Sequence, residues 1–141
     1  MDDLKFYLFL GSQGLAAVVL FAFLWLWPGP WNAQRAVGSV LLVTGTLLVF
    51  MARFQLGRSF SITARARKLV THGLYSRIRN PIYVFGTVAL AGLCLILQKP
   101  GLWLLPVLVV AMQTARARNE ARLLEAKFGD QYRAYRSRTW F

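Results

Sequence analysis

Long apolar runs, separated by proline, glycine and basic residues, govern what this chain can fold into. Phe6 to Trp27 carries only Ser12 and Gln13 as interruptions and is closed by Pro28, Gly29 and Pro30. It exceeds the about 20 helical residues needed to cross a hydrocarbon core. Further runs follow at Ala36 to Leu56, Pro81 to Gln98 and Leu102 to about Ala115. With 57% hydrophobic and 16% charged residues, the chain is too apolar for an ordinary soluble domain of 141 residues. The expected fold is all-α: one integral membrane domain over residues 1–141, four transmembrane helices, a cytoplasmic loop and an amphipathic C-terminal helix.

The net charge of +12 suggests a nucleic-acid binder only until its distribution is considered. The charges flank the apolar runs and line no continuous polar face, which argues against nucleic acid. Cys94 is the only cysteine and His72 the only histidine, so an intramolecular disulfide is impossible and no metal site is expected. Met1, Asp2, Asp3, Leu4 and Lys5 lack the basic start of a secretory signal, and the first run is expected to stay as a transmembrane helix.

All lysines and arginines except Arg35 and Lys99 fall at the N-terminus, at the end of the second run, between the second and third runs, or in the tail. The positive-inside rule therefore puts both termini and the central loop in the cytoplasm, where the charges would also attract anionic lipids. Trp25, Trp27 and Trp31 read as an interfacial belt, and Arg53 as a side chain able to snorkel to the headgroups. Gly38, Ser39, Thr44, Gly45 and Thr46 supply small residues for close helix packing, within the chain or between copies. Lys99, Pro100 and Gly101 leave room only for a tight hairpin between the third and fourth runs. Nothing breaks the fourth before Glu125, so one helix should leave the bilayer and continue.

Two polar clusters stand out. In the first, Gly73 to Gly86, Asn80 can cap a helix whose first residue is Pro81, with Arg77 and Arg79 just outside and Tyr83 on the first turn. Taken alone, these residues serve equally well as a cap with basic lipid anchors. The long connection before it, from Gly57, mixes Ser59, Phe60, Ser61, Ile62, Leu69 and Val70 with basic residues, as functional loops often do. In the second cluster, Arg116 and Glu120 are four apart on a helix, and Leu124 and Phe128 continue their side. Gly129 should end this helix, and Asp130 should cap a short one carrying Tyr132 and Tyr135 on one face. The tail alone would read as an amphipathic helix lying on headgroups. Because the third and fourth runs form a tight hairpin, their cytoplasmic ends should be neighbours, bringing Arg79, Asn80 and Tyr83 towards Asn119, Glu120, Tyr132 and Tyr135.

Gly73-Leu74-Tyr75, Arg79-Asn80-Pro81-Ile82-Tyr83 with Gly86, and Glu120, Leu124, Phe128-Gly129, Tyr132 and Tyr135 together resemble a known signature. It is that of isoprenylcysteine carboxyl methyltransferases and related phospholipid methyltransferases, and the similarity covers about residues 56 to 138. The resemblance implies an integral-membrane enzyme that binds S-adenosylmethionine between the regions 57–86 and 116–138 and methylates a lipophilic or membrane-embedded acceptor. Carried over by position, the catalytic candidates are Arg79, Asn80 and Glu120. The cofactor-binding candidates are Tyr75, Arg79, Asn80, Tyr83, Arg118, Glu120, Tyr132 and Tyr135. Arg79 or Arg118 would pair with the donor's carboxylate, and Glu120 would balance cationic charge.

Three positions depart from the pattern. Leu74 stands for Pro, Asn80 for His and Ala121 for a second Glu, which removes a titratable group and a carboxylate. Two other functions therefore stay open. A steroid-reductase-like NADPH enzyme shares an Arg-x-Pro-x-Tyr-x-Gly stretch but has Glu where this chain has Thr87, and a non-catalytic membrane module would explain Asn80 and Ala121.

Overall fold

A computed structural model describes residues 3–57 and 71–141, among which the regular structure is helical. Helix α1 spans Asp3–Trp25, α2 Ala33–Leu56, α3 Pro81–Leu97, α4 Leu104–Phe128 and α5 Asp130–Arg138. Short 3-10 turns at Gly73–Ser76 and Pro100–Trp103 lead into α3 and α4. Ser59, Phe60, Ser61, Ile62, Leu69 and Val70, on which the reading of the central loop rested, lie outside the described residues, as do Arg58, Arg65, Arg67 and Lys68.

Arg35 organises one end of the bundle. It is 1% exposed and donates to the carbonyls of Leu24 at 3.0 Å, Trp27 at 2.9 Å and Gly29 at 3.1 Å, with its guanidinium 3.9 Å from the Trp31 ring centroid. The carbonyls at a helix end have no partner within the helix. A buried cation of the next helix supplies one here, locking the Pro28–Pro30 turn. Asn32 caps α2, accepting the Arg35 backbone N–H at 2.9 Å, so this helix begins three residues before the expected Ala36. Asn32 and Gln98 exchange amide hydrogen bonds at 3.2 and 3.3 Å, joining the two turns on this side.

Helices α2 and α3 form the closest pair. A Cβ added at Gly92 would stand 2.5 Å from the Gly38 carbonyl oxygen and the Leu42 nitrogen, and one at Gly45 would stand 2.7 Å from the Ala89 nitrogen. Without side chains at these points the two backbones touch, which is how helices associate where lipid removes the hydrophobic drive. The small residues Gly38 and Gly45 are thus used inside the chain. Phe21 and Leu24 of α1 add to this centre through Leu42, Ala89, Leu93, Ile96 and Leu97.

By length and composition α1, α2 and the stretch Pro100–Phe128 can cross a membrane. The third expected span is apolar but shorter: α3 has 17 residues, because Gln98 turns left-handed at φ 54° and ends it. The fourth run does continue into the tail as one helix of 25 residues. Large apolar side chains stay exposed along α1 and α4, among them Leu8, Leu15, Val19, Leu104, Leu108 and Met112, a surface suited to lipid.

Three local expectations are corrected. Arg53 does not simply reach for headgroups; its Nη1 donates to Gln13 Oε1 at 2.9 Å, so the polar break in the first run is an α1–α2 tie. The Asn80 side chain makes no capping bond, because its backbone at φ −126° and ψ 62° departs from the extended cap geometry. Only its carbonyl serves the helix, accepting from Tyr83 and Val84. Asp130 is the first residue of α5, not its cap; Gly129, at φ 54°, both ends α4 and starts α5, and the Asp130 carboxylate accepts from Arg133.

Candidate functional site

The Pro100–Trp103 turn sends α4 back alongside α3, and the far ends of the hairpin meet through hydrogen bonds. The Tyr83 hydroxyl donates to Glu120 Oε1 at 2.7 Å, and Arg116 Nε donates to the same oxygen at 3.1 Å. Glu120 keeps 28% of its side chain exposed and Arg116 46%, so the cluster is open on one side. Both contacts follow from spacing: Arg116 and Glu120 are one helical turn apart, and Tyr83 lies on the first turn of the antiparallel partner. One turn further along α3, Thr87 Oγ1 lies 2.9 Å from Gln113 Oε1 and 2.9 Å from the Tyr83 carbonyl oxygen.

A second wall forms around Tyr75. Its ring is buried against Ala52, Leu56, Leu74 and Ile82. The turn carrying it is pinned to α2 by Gln55, whose Oε1 accepts the Leu74 N–H at 2.8 Å. Gly73 sits at φ 61° so close to the Gln55 side chain that an added Cβ would be 2.4 Å from its Oε1. From the other direction α5 folds onto this turn, and the buried Tyr135 hydroxyl donates to the Tyr75 carbonyl at 2.6 Å. Tyr132 and Tyr135 pack on Ala121, Leu124 and Phe128. The missing second carboxylate of the motif is therefore a small apolar contact between α4 and α5.

Burial holds the Tyr75 and Tyr135 phenols protonated. It raises the Tyr75 hydroxyl well above the usual tyrosine range, with nearby Tyr135 and Glu120 adding to the shift. The Tyr135 hydroxyl is pushed up to about 12 by burial, Tyr132 adding and Arg79 and Arg138 opposing. Tyr135 is thus a donor at neutral pH, as its bond to a carbonyl requires.

The segment bearing Arg79 and Asn80 is held by the end of the chain. Arg79 and Asn80 N–H groups donate to the Trp140 and Phe141 carbonyls at 3.1 and 2.9 Å, and the Trp140 N–H returns to Arg77 at 2.9 Å. The pairing forms an isolated parallel bridge between Ile78 and Trp140. Arg79 is half-buried, and its Nε is enclosed without a hydrogen-bond partner among the described residues.

Of the residues singled out in the sequence, Tyr83 and Glu120 touch directly, and Tyr75, Tyr132 and Tyr135 form the supporting wall with Arg79 beside Tyr135. Asn80 lies at the base of α3, while Arg118 and Asn119 are exposed on α4 and hydrogen-bonded to neither cluster. Sequence reasoning missed Gln55, Gln113 and Thr139–Phe141. Gln113 had a usable signal, a lone amide at the end of an apolar run. The tail pairing had none, since its partners lie about sixty residues apart in sequence.

The family model described as phospholipid methyltransferase matches residues 33–131, more than two thirds of the chain. The match runs from the start of α2 to the first turn of α5 and stops just before Tyr132 and Tyr135. No curated protein matches the chain.

Proposed function

This chain belongs to the phospholipid methyltransferase family, and we propose that it is an integral-membrane enzyme transferring a methyl group from S-adenosylmethionine to a lipophilic, membrane-embedded acceptor. The observation that carries the reading is the 2.7 Å bond between Tyr83 and Glu120, which joins the two halves of the motif at one end of the α3–α4 hairpin. The cytoplasmic side is proposed for this end and for both termini, from the distribution of basic residues.

The side chains present suit the cofactor. Arg79, whose Nε is enclosed without a hydrogen-bond partner among the described residues, offers donors for an amino-acid carboxylate, and Arg118, exposed on α4 two residues from Glu120, is a second cation. Glu120, already oriented by Tyr83 and Arg116, offers negative charge opposite a sulfonium. Asn80 adds an uncharged hydrogen-bonding group. Tyr75, Tyr132 and Tyr135 shape the wall, and Trp140 and Phe141 hold the Arg79 segment in place. When bound, S-adenosylmethionine supplies an electrophilic methyl group.

What the protein contributes is alignment and exclusion of water. Direct displacement at a sulfonium methyl needs the nucleophile in line with the breaking bond, and positioning supplies much of the acceleration. Asn80 in place of His leaves no titratable base at that position. The acceptor must then arrive already nucleophilic or pass its proton to Glu120 or water. Isothermal titration of the detergent-purified protein with S-adenosylhomocysteine, alongside NADPH, tests the reading. Saturable binding of the first alone is expected. NADPH binding alone would move the protein to reductase chemistry, and binding of neither would favour a non-catalytic module.

A further inference from the structure

The Thr87–Gln113 contact contains an inconsistency that hydroxyl chemistry resolves. Thr87 Oγ1 stands at donor distance from two acceptors, the Tyr83 carbonyl and Gln113 Oε1, both at 2.9 Å. A threonine hydroxyl has one proton. If it goes to the Tyr83 carbonyl, the Gln113 amide must be turned over so that Nε2–H donates to Oγ1; the two amide orientations are chosen by the network they satisfy. If it goes to Gln113, both amide N–H groups remain. In either arrangement Gln113 keeps at least one N–H with no hydrogen-bond partner among the described residues.

That donor sits in the part of α4 that can cross a membrane, half-buried beside exposed Leu108, Val110 and Met112. An unsatisfied amide is costly in hydrocarbon, and polar side chains there are placed to bind. The neighbouring surface is open. A Cβ added at Gly86, between Tyr83 and Thr87 on α3, would meet no atom within 4 Å, whereas one at Gly92 on the same helix would strike backbone at 2.5 Å. At 1.5 Å of rise per residue, Thr87 lies about 6 Å from the level of Tyr83, and Gln113 about 10 Å from the level of Glu120.

We propose that Gln113, oriented by Thr87, is a second and deeper binding point of the site, where its amide N–H donates to an ester-carbonyl oxygen of a glycerolipid whose polar end lies at Glu120. The proposal rests on the methyltransferase reading only for what happens at that polar end; the deeper subsite stands on the amide, its depth and the open notch. The two-point grip selects acceptors with a carbonyl oxygen one to two helical turns below the methyl-accepting atom. It rejects those whose tail is hydrocarbon throughout.

Native mass spectrometry of the detergent-purified protein with diester or diether phosphatidylethanolamine, which differ in the ester carbonyls, tests this without needing turnover. Wild type is expected to retain the diester lipid about 3- to 10-fold better, the worth of one hydrogen bond, and Gln113→Leu to retain both equally. Thr87→Val, nearly isosteric, is the second variant and should reduce the preference without abolishing it. Equal retention by wild type, or a preference that survives Gln113→Leu, overturns the subsite. Labelled methyl transfer from S-adenosylmethionine to the same two lipids, run in parallel, separates the claims. Ester preference without transfer supports the subsite and counts against the methyltransferase reading alone. Transfer to both lipids at equal KM overturns the subsite and leaves that reading intact.

Discussion

The two sides of α3 are held by opposite means. Towards α2 the contact is backbone on backbone, through Gly38, Gly45 and Gly92, with no room for a single methyl group. Towards α4 it rests on two hydrogen-bonded points, Tyr83 with Glu120 and Thr87 with Gln113, and at Gly86 it leaves open space. The difference teaches how a small membrane protein keeps one rigid face and one accessible one. Lipid offers no hydrophobic drive between helices, so close packing of small residues makes the permanent contact. Between α3 and α4, where we propose that ligands enter, directional polar contacts join the helices beside open space.

The same substitution on the two faces breaks this comparison most directly. Gly92→Ala drives a Cβ against the Gly38 carbonyl and the Leu42 nitrogen, neither of which can swing away. It is expected to cost about 2–3 kcal/mol, read as a lower melting temperature in detergent and a loss of monodisperse protein. Wild-type melting would show that the interface is looser than its geometry.

On the open face the effect should fall on binding and spare the fold. Glu120→Gln removes the charge that accepts from Tyr83 and Arg116. It is expected to weaken S-adenosylhomocysteine binding by roughly 10- to 100-fold, the range for a hydrogen bond to a charged group of about 1.5–3 kcal/mol. The melting temperature should move little, because Glu120 is partly exposed and its ion pair with Arg116 lies near the surface. Arg79→Ala should act in the same direction. Loss of folding in both variants would instead make the cluster structural.

A smaller effect separates the wall from the site. Tyr135→Phe removes the donor to the Tyr75 carbonyl, at an expected cost of about 1 kcal/mol. The same hydroxyl predicts a pH dependence. Its pKa is raised in the folded protein from the ordinary 10.0 to about 12. Its contribution is therefore complete below pH 10 and is lost as pH rises through about 12. Alkaline release of α5, followed by phenolate absorbance and protease sensitivity after Phe128, should show a step near pH 12 in the wild type that Tyr135→Phe lacks. Identical profiles would remove Tyr135 from the wall. The smallest change belongs to Gly86→Ala, which meets no atom. It should leave stability unchanged or raise it by up to about 1 kcal/mol through helix propensity, and a large loss would close the notch inferred there.

Much of this was legible in the residues, for identifiable reasons. Helix α4 runs on into the tail because nothing between Leu104 and Phe128 breaks it, and the chain reverses at Gly129 because glycine accepts a positive φ. Arg116 and Glu120 meet because four residues make about one turn. The tight turn after α3 brought Tyr83 to them, as a short hairpin must. Local spacing was less use for groups that find partners across the fold. Arg35 counted in the sequence only as one of two basic residues on the far side and is buried on the end of α1; Arg53 looked able to snorkel to the headgroups and bonds Gln13. Asn80 had the composition of a cap, but the pairing of its backbone with Phe141 accompanies a geometry in which its side chain does not cap.

By itself, then, the sequence determined the helical membrane architecture, the motif and the family that the motif belongs to, because apolar run length, glycine and proline positions and helical periodicity act over a few residues. Tertiary structure alone decided which small residues touch, that the chain end holds the Arg79 segment, and that Gln113 meets Thr87 beside an open notch. Those outcomes depend on how helices distant in sequence cross, and the crossing decides where the backbones touch and where space stays open.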